Sequence, residues 1–417
     1  VNRFIIRGGK PLSGTVKVSG SKNAALPLLA ATLLTSEECV LRNIPDVADI
    51  RLMLQILEEL GAKYTFEENV VKIQTAKLKT TRVSPEFAGQ MRASILLLGP
   101  LIARGGKAEI AFPGGCVIGK RSIHAHKYAL EKLGAVDKSS PSTLKFVAKK
   151  ITANAFNLPE MSVTATENAL MAAALTPSET KIRMAAYEPH VQNLCEFLRK
   201  MGAKVEGIGT HTVKITGVKN PAGVNHTCIT DYLEVGTFAI AALVTGGDVR
   251  IEGVIPKQLD SFFQKLEEVG AKFTVGADFM ELRPTKKFQP CEIKTAVFPG
   301  FPTDLQAPFG VLLTQASGKS RIFETLFEGR LNYLFELEKM GAKVEVFNPH
   351  QAVIFGGNRL QAGNVTSCDL RAGAAVVLAA LNANGKSEIT NIGYIDRGYE
   401  NFEEKLRSLG ADITRVK

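Results

Sequence analysis

The sequence predicts an α/β protein with its helices inside, built from six repeated units that divide into two domains of three. Three observations lead there. The phrase Leu-Glu-Glu-Leu-Gly-Ala-Lys at 57–63 returns in variant form at 130–135, 198–204, 266–272, 337–343 and 406–412. Each copy is followed by an alternating segment such as Lys204-Val205-Glu206. Each unit also holds a second helix-like run that is apolar almost all round.

The repeated phrase reads as the end of an amphipathic helix. Its apolar residues sit at helical spacing and run into Gly61, Gly134, Gly202, Gly270, Gly341 or Gly410, about 70 residues apart. Glycine is the residue that closes a helix with a left-handed turn. The alternating residues after it begin a strand. The apolar runs are Ala24–Leu34, Ser94–Ala103, Asn168–Leu175, Val235–Val244, Pro308–Leu313 and Ala372–Leu381. A helix with no polar face is buried, so sheet must surround it. Polar residues at the starts of these helices then matter most: Lys22-Asn23, Arg92, Asp304, and Asp369 with Arg371. Asp304 and Asp369 suit ordinary first-turn positions. The cations have the wrong sign for a helix N-terminus, which points to a bound anion.

Composition narrows the class. The chain has 417 residues, 45% of them hydrophobic and 22% charged, which excludes a disordered or fibrous protein. The apolar runs 24–34 and 95–103 fall short of a membrane span and each contains a proline, so no membrane association is expected. Val1-Asn2-Arg3-Phe4 leads directly into strand-like sequence, without a signal-peptide layout, so the expected location is cytoplasmic. The six cysteines are scattered and no His or Cys pair has metal-ligand spacing, so neither disulfides nor a metal is expected. The net charge of +10 is spread along the chain, and Trp is absent. It fits a small, highly anionic substrate; a nucleic-acid partner would want clustered charge and stacking aromatics.

Phe112-Pro113-Gly114-Gly115-Cys116-Val117-Ile118-Gly119-Lys120-Arg121 is the least ordinary stretch. Three glycines and a proline make it a loop. Cys116 stands near Lys120 and Arg121, cations that would favour a reactive thiolate. The other reading is a structural cysteine packed under a loop.

That loop resembles the UDP-N-acetylglucosamine 1-carboxyvinyltransferase family of enolpyruvyl transferases. So do Ser21-Lys22-Asn23-Ala24-Ala25, Met91-Arg92-Ala93-Ser94 and Phe301-Pro302-Thr303-Asp304-Leu305-Gln306. Phe327-Glu328-Gly329-Arg330, Asp369-Leu370-Arg371-Ala372 and Ile395-Asp396-Arg397-Gly398-Tyr399-Glu400 complete the set, in order along the whole chain. The resemblance implies a two-domain inside-out α/β barrel of six βαβαββ units. It implies one domain at 22–229 and a second made of 1–21 with 230–417; the repeat alone would put a boundary in Val218–Thr230.

The implied reaction moves the enolpyruvyl group of phosphoenolpyruvate to the 3-hydroxyl of UDP-N-acetylglucosamine and releases phosphate, the first committed step of peptidoglycan synthesis. No cofactor is implied. Lys22, Arg121 and Arg397 match the family's phosphoenolpyruvate contacts, with Arg92, Arg330 and Arg371 close by. Cys116 matches the proton donor and the target of the epoxide antibiotic fosfomycin; Asp304 matches the carboxylate that accepts the hydroxyl proton, and Asp369 a charged site residue. The nucleotide sugar is assigned to Asn23, Arg92, Arg121, Ser122, Ile123, His124, Ala125, Ser162, Val163, Thr164, Asp304 and Leu326. Two departures fall on that side. The family often reads Pro-Val-Asp-Leu-His where this chain has Ser122 to His126, and often glycine where it has Thr164. Three alternatives stand beside this reading: the shikimate 3-phosphate enzyme of the same fold, which lacks the Pro-Gly-Gly-Cys loop, an RNA-binding repeat protein, and an inactive nucleotide-sugar binder.

Overall fold

The computed structural model describes residues 2–114, 118–119 and 121–417. Along them run helices α1 (Lys22–Ala31), α2 (Ala48–Leu60), α3 (Pro85–Ala88), α4 (Leu98–Gly105), α5 (His124–Lys132), α6 (Val163–Ala173) and α7 (Pro189–Lys200). The second half adds α8 (Tyr232–Val244), α9 (Asp260–Glu268), α10 (Thr303–Leu313), α11 (Tyr333–Lys339), α12 (Leu370–Asn382) and α13 (Phe402–Ser408).

Apart from the single turn α3, the helices are of two kinds. In α1, α4, α6, α8, α10 and α12 the apolar residues go round the whole cylinder, and α8 is buried at every position. The others bury one stripe; α2 turns Ile50, Met53, Leu54, Ile56, Leu57 and Leu60 inward. All six repeat glycines have positive φ, between 74° and 115°, where a Cβ would be strained. Strands Lys63–Glu67, Val136–Asp137, Lys204–Glu206, Lys272–Val275, Lys343–Asn348 and Asp412–Val416 follow them.

Six sheets share one plan. In Ala155–Asn157, Glu179–Arg183, Thr212–Thr216 and Lys204–Glu206, for example, the first pair is parallel and the next two are antiparallel. In the three-stranded sheet of Lys107–Ala111, Thr143–Val147 and Val136–Asp137, the parallel strand shrinks to a single bridge from Arg82 to Glu109. The order within each sheet is open-ended, and no closed barrel is present among the described residues.

Chain order and sheet membership part company at three strands. Ser13–Lys17 precedes α1 yet lies parallel to Asp248–Glu252. Asn225–Thr227 precedes α8 yet lies parallel to Cys39–Arg42. Arg3–Gly8 fits between Gly385–Thr390 and Asp412–Val416, with Phe4 opposite Ile389 and Arg415. The chain accordingly forms two compact units. The N-terminal unit is Gly20–Gly115 with Arg121–Ile229. The C-terminal unit is Val1–Ser19 with Thr230–Lys417, and it includes the described residues of Cys116–Lys120.

Within the C-terminal unit α8, α10 and α12 pack on one another around Phe238, Phe309 and Val376. Within the N-terminal unit α4 packs on α6, and α1 on α2 and α7. The α4–α6 approach depends on Gly99, whose N–H donates to Asn168 Oδ1 at 2.7 Å. A Cβ on Gly99 would lie 2.5 Å from the Asn168 carbonyl oxygen, in a backbone that cannot move aside alone. Gly99→Ala should therefore cost about 1–3 kcal/mol of unfolding free energy by strain in a packed core. Gly270→Ala, which meets nothing within 4 Å and suffers only its φ of +74°, should cost about 1 kcal/mol or less. Urea titrations of the two variants would check the order, and a larger loss at Gly270 would contradict it.

Candidate active site

Burying whole helices leaves their N-termini as the places where polar groups collect, and the two units use those ends differently. In the N-terminal unit Ser21 caps α1, its Oγ accepting the Ala24 N–H at 3.3 Å. Lys22 is the first helical residue, and its Nζ lies 3.3 Å from Asp49 Oδ2 in the first turn of α2. The carboxylate offsets a cation placed against the helix dipole.

Arg92 opens the 3-10 turn Arg92–Leu97 that leads into α4. Its Nη2 donates to the carbonyl oxygens of Arg121 at 3.0 Å and Ser122 at 3.2 Å. Burial, with Arg121 nearby, lowers its pKa to about 10. The segment Arg121–Ile123 thus approaches α5 under the hand of Arg92. Ser122 and His124 are exposed and Ile123 is half-buried, while Ala125 is buried, leaving chiefly its backbone for a ligand. Ser162 caps α6, its Oγ 3.4 Å from the Ala165 N–H. The two nucleotide-sugar segments named from sequence, 121–125 and 162–164, are therefore the starts of two helices, whose first N–H groups favour anions. Buried His126 lies between them, with Nε2 3.0 Å from Thr164 Oγ1 and Nδ1 3.0 Å from Asn168 Nδ2. Burial, and then Arg92, push its pKa down to about 3.

In the C-terminal unit the helix ends hold paired charges. Asp369 caps α12, accepting the Arg371 and Ala372 N–H groups at 2.7 and 2.9 Å. Asp231 caps α8 through the Leu233 N–H at 2.9 Å. Asp304, in the first turn of α10, is bound by Arg330 Nη2 and lies 3.4 Å from Arg371 Nε. Arg330 Nη1 stands 3.9 Å from Asp369, and Arg371 Nη2 3.8 Å from Asp231. Arg371 also lies over the Tyr399 ring, 4.9 Å from its centroid, and Tyr399 shares a 2.8 Å hydrogen bond with Thr237. Burial alone would lower the pKa of both arginines; Asp304, Asp369 and Glu324 outweigh it at Arg330, and Tyr399, Asp231 and Asp304 outweigh it at Arg371, so both are raised. Among the described residues Arg330 Nε and Arg371 Nη1 are buried without a hydrogen-bond partner.

The segment from Leu326 to Arg330 is anchored by Glu324, fully buried, which accepts from Thr295 Oγ1 at 3.0 Å, Thr303 Oγ1 at 2.8 Å and the Leu326 N–H at 2.9 Å. Leu326 itself is exposed. Arg397 ends the 3-10 segment Ile392–Arg397. Cys116 and Lys120 lie outside the described residues. Before them in the chain, a Cβ on Gly114 would fall 1.6 Å from the Gly89 carbonyl oxygen. Between them in sequence, the Ile118 carbonyl accepts the Gly329 N–H at 2.9 Å. Burial pushes the thiols of Cys39 and Cys368 up to about 11 and those of Cys195 and Cys291 to about 12.

Residues 6–406 match the family model described as EPSP synthase (3-phosphoshikimate 1-carboxyvinyltransferase). The chain is 46% identical, over 100% of both chains, to UDP-N-acetylglucosamine 1-carboxyvinyltransferase 2 of Carboxydothermus hydrogenoformans. It is 43% identical to UDP-N-acetylglucosamine 1-carboxyvinyltransferase of Methylacidiphilum infernorum, over 100% of this chain and 99% of the relative. The chain belongs to the EPSP synthase family of enolpyruvyl transferases. The family fold is equally plain in solved structures. The enolpyruvyl transferase NikO from Streptomyces tendae superposes with a TM-score of 0.90 at 25% identity, covering 100% of this chain and 99% of its own. EPSP synthase from Acinetobacter baumannii gives 0.77 at 17% identity over all of both chains, a likeness of fold.

Several groups at these helix ends escaped the sequence reading. Asp231 occupies the same place before α8 that Asp369 occupies before α12, so the repeat itself held the signal. Asp49 and the His126–Asn168 contact gave none, because the partners stand 27 and 42 residues apart, and Glu324 gave none because Thr295 and Thr303, which hold its carboxylate, belong to other elements.

Two buried histidines make the N-terminal unit acid-sensitive. His126 is held neutral to about pH 3 and His226 to about 4, in both cases by burial first. An unfolded histidine takes up its proton near pH 6.5, so stability is fully present above that pH and drains away as pH falls toward the folded values. His226→Gln should reduce the fall in unfolding free energy between pH 6.5 and 5 by about 1 kcal/mol per pH unit. Urea midpoints across that range test it; an unaltered slope would contradict the assignment.

Proposed function

We propose that this enolpyruvyl transferase moves the enolpyruvyl group of phosphoenolpyruvate to the 3-hydroxyl of UDP-N-acetylglucosamine, releasing phosphate in the first committed step of peptidoglycan synthesis. The observation that carries the reading is identity of 46% and 43% over whole chains to enzymes of that name. The Pro113-Gly114-Gly115-Cys116 loop supports it over the shikimate 3-phosphate reaction. Both substrates are highly charged and do not cross a membrane unaided, which supports a cytoplasmic location. The six-unit plan, with α8, α10 and α12 buried together, supports the inside-out arrangement expected from the sequence.

In this reading Cys116 gives a proton to C3 of phosphoenolpyruvate, and C2 becomes electron-poor. The sugar hydroxyl attacks C2 and passes its proton to Asp304. Ion-paired to Arg330 and Arg371, Asp304 is a weak base, but the hydroxyl grows acidic as its oxygen bonds to C2. Loss of phosphate from C2 and of one proton from C3 then restores the enol. Lys22, Arg121 and Arg397 balance the phosphoenolpyruvate charge, and Asp369 holds Arg371 through the α12 cap. Asn23, Arg92, residues 121–125 and 162–164, and Leu326 hold the nucleotide sugar.

Phosphate should appear only when both substrates are present; release with shikimate 3-phosphate alone as acceptor would overturn the assignment. Cys116→Ala should lose at least roughly a hundredfold in turnover, the contribution of a positioned acid, whereas Cys116→Asp should keep measurable activity and escape fosfomycin. Asp304→Asn should lose roughly a hundredfold or more. Limited alkylation should label Cys116 first, since burial raises the thiol pKa of Cys39, Cys195, Cys291 and Cys368. Label on any of those before Cys116 would count against its role.

A further inference from the structure

The Thr164 hydroxyl, in the first turn of α6, has a partner in buried His126. We propose that His126 and Thr164 form a positioning pair that joins the starts of α5 and α6 and aims the Thr164 hydroxyl proton at an oxygen of the bound nucleotide sugar. The inference rests on the nucleotide-sugar reading and deepens it, giving Thr164 a defined role there and adding His126 as the residue that positions it.

Hydrogen-bond accounting sets the direction of each bond. Asn168, fully buried, accepts the Gly99 N–H at its Oδ1, 2.7 Å away, which fixes the amide orientation. Its Nδ2 therefore supplies two protons, one to the Ile95 carbonyl at 2.8 Å and one to His126 Nδ1 at 3.0 Å. Nδ1 being an acceptor, the ring carries its proton on Nε2 and donates to Thr164 Oγ1 at 3.0 Å. A threonine hydroxyl that receives a bond still holds its own proton. Thr164 is half-buried in the first turn of α6, beside its open N–H groups, so that proton can meet a ligand at the helix end. Asn168 and Gly99 are buried in the α4–α6 contact, so the pair cannot drift without disturbing that packing. With glycine at 164, Nε2 would lack this acceptor.

The test compares Thr164→Val, which keeps shape without the hydroxyl, with Thr164→Ser, which keeps the hydroxyl. Thr164→Val should raise KM for UDP-N-acetylglucosamine roughly tenfold, the effect of one lost hydrogen bond to a polar ligand, with kcat and the KM for phosphoenolpyruvate within about twofold. Thr164→Ser should restore the nucleotide-sugar KM to within about threefold of the parent. A matching rise in both KM values, or no rise in either, would overturn the proposal. Nitrogen-15 spectra of the ring, which need no turnover, should show His126 neutral with its proton on Nε2 at pH 7, and a shifted Nε2 signal in Thr164→Val. A charged ring, or a proton on Nδ1, would overturn the pair itself. Failure of the parent chain to turn over UDP-N-acetylglucosamine would instead overturn the substrate reading, leaving the ring spectra to judge the pair.

Discussion

A helix buried on every side leaves its ends as the least costly places for polar groups. The six apolar helices follow that constraint at their starts, and a polar side chain further in, such as Asn168 in α6 or Thr237 in α8, is hydrogen-bonded inside the fold. Side chains such as Ala24, Leu233 and Val376 spend their surface on packing, each large one contributing about 1.5–3 kcal/mol on burial. The first turn stays polar in any case, because its N–H groups lack intrahelical partners. Ser21, Ser162, Asp231 and Asp369 occupy four of those ends as caps.

The two units answer the same constraint with opposite charge economies. At the N-terminal unit's helix starts Lys22 and Arg92 differ from the C-terminal arginines in what surrounds them among the described residues. Lys22 has Asp49, while Arg92 finds only carbonyl oxygens among its described hydrogen bonds. The C-terminal unit surrounds Arg330 and Arg371 with Asp231, Asp304 and Asp369. Desolvating each ion costs several kcal/mol, and pairing restores it only where the geometry is good. Distances of 3.8 and 3.9 Å to Asp231 and Asp369 are long for such pairs, and unpartnered Arg330 Nε and Arg371 Nη1 leave donor capacity unused. A cluster built for stability alone would close those gaps, and the open donors are consistent with the anion-binding role proposed for this region.

The repeat made most of the fold legible before any coordinates. Helix ends at six glycines, the strands after them and the six buried helices all follow from local pattern, because capping and periodicity are local physics. Strand partnership is not local. Ser13–Lys17 and Asn225–Thr227 each stand before a buried helix but pair in the sheet of the other half, and either strand would satisfy the same pattern in either place. The candidate site shows the same division. Lys22, Arg92, Asp304 and Arg371 were visible as charged residues at apolar helix starts. Glu324 was not, since it lies after the strand Lys319–Phe323 and acts by folding the following turn around its carboxylate.

Arg397, proposed above as a phosphoenolpyruvate contact, shows how a segment is made rigid without regular structure. It ends a 3-10 segment rather than a helix, a weak frame for a long cationic side chain. Its neighbours are tied down instead. Asp396 takes a two-pronged contact from Arg415 at 2.9 and 2.7 Å. Tyr399 is held by Thr237 at 2.8 Å, and Glu400 accepts the Ser19 hydroxyl at 2.5 Å. Ser19 in turn accepts from Lys405, which also binds Glu234 in the first turn of α8. Burial raises the Glu234 pKa to about 7 against the pull of Lys405, so this anchor carries an electrostatic cost that packing alone would not demand. The cost is intelligible if the segment's position matters more than its stability: three separate ties, from Arg415, Thr237 and Ser19, converge on the five residues that present Arg397.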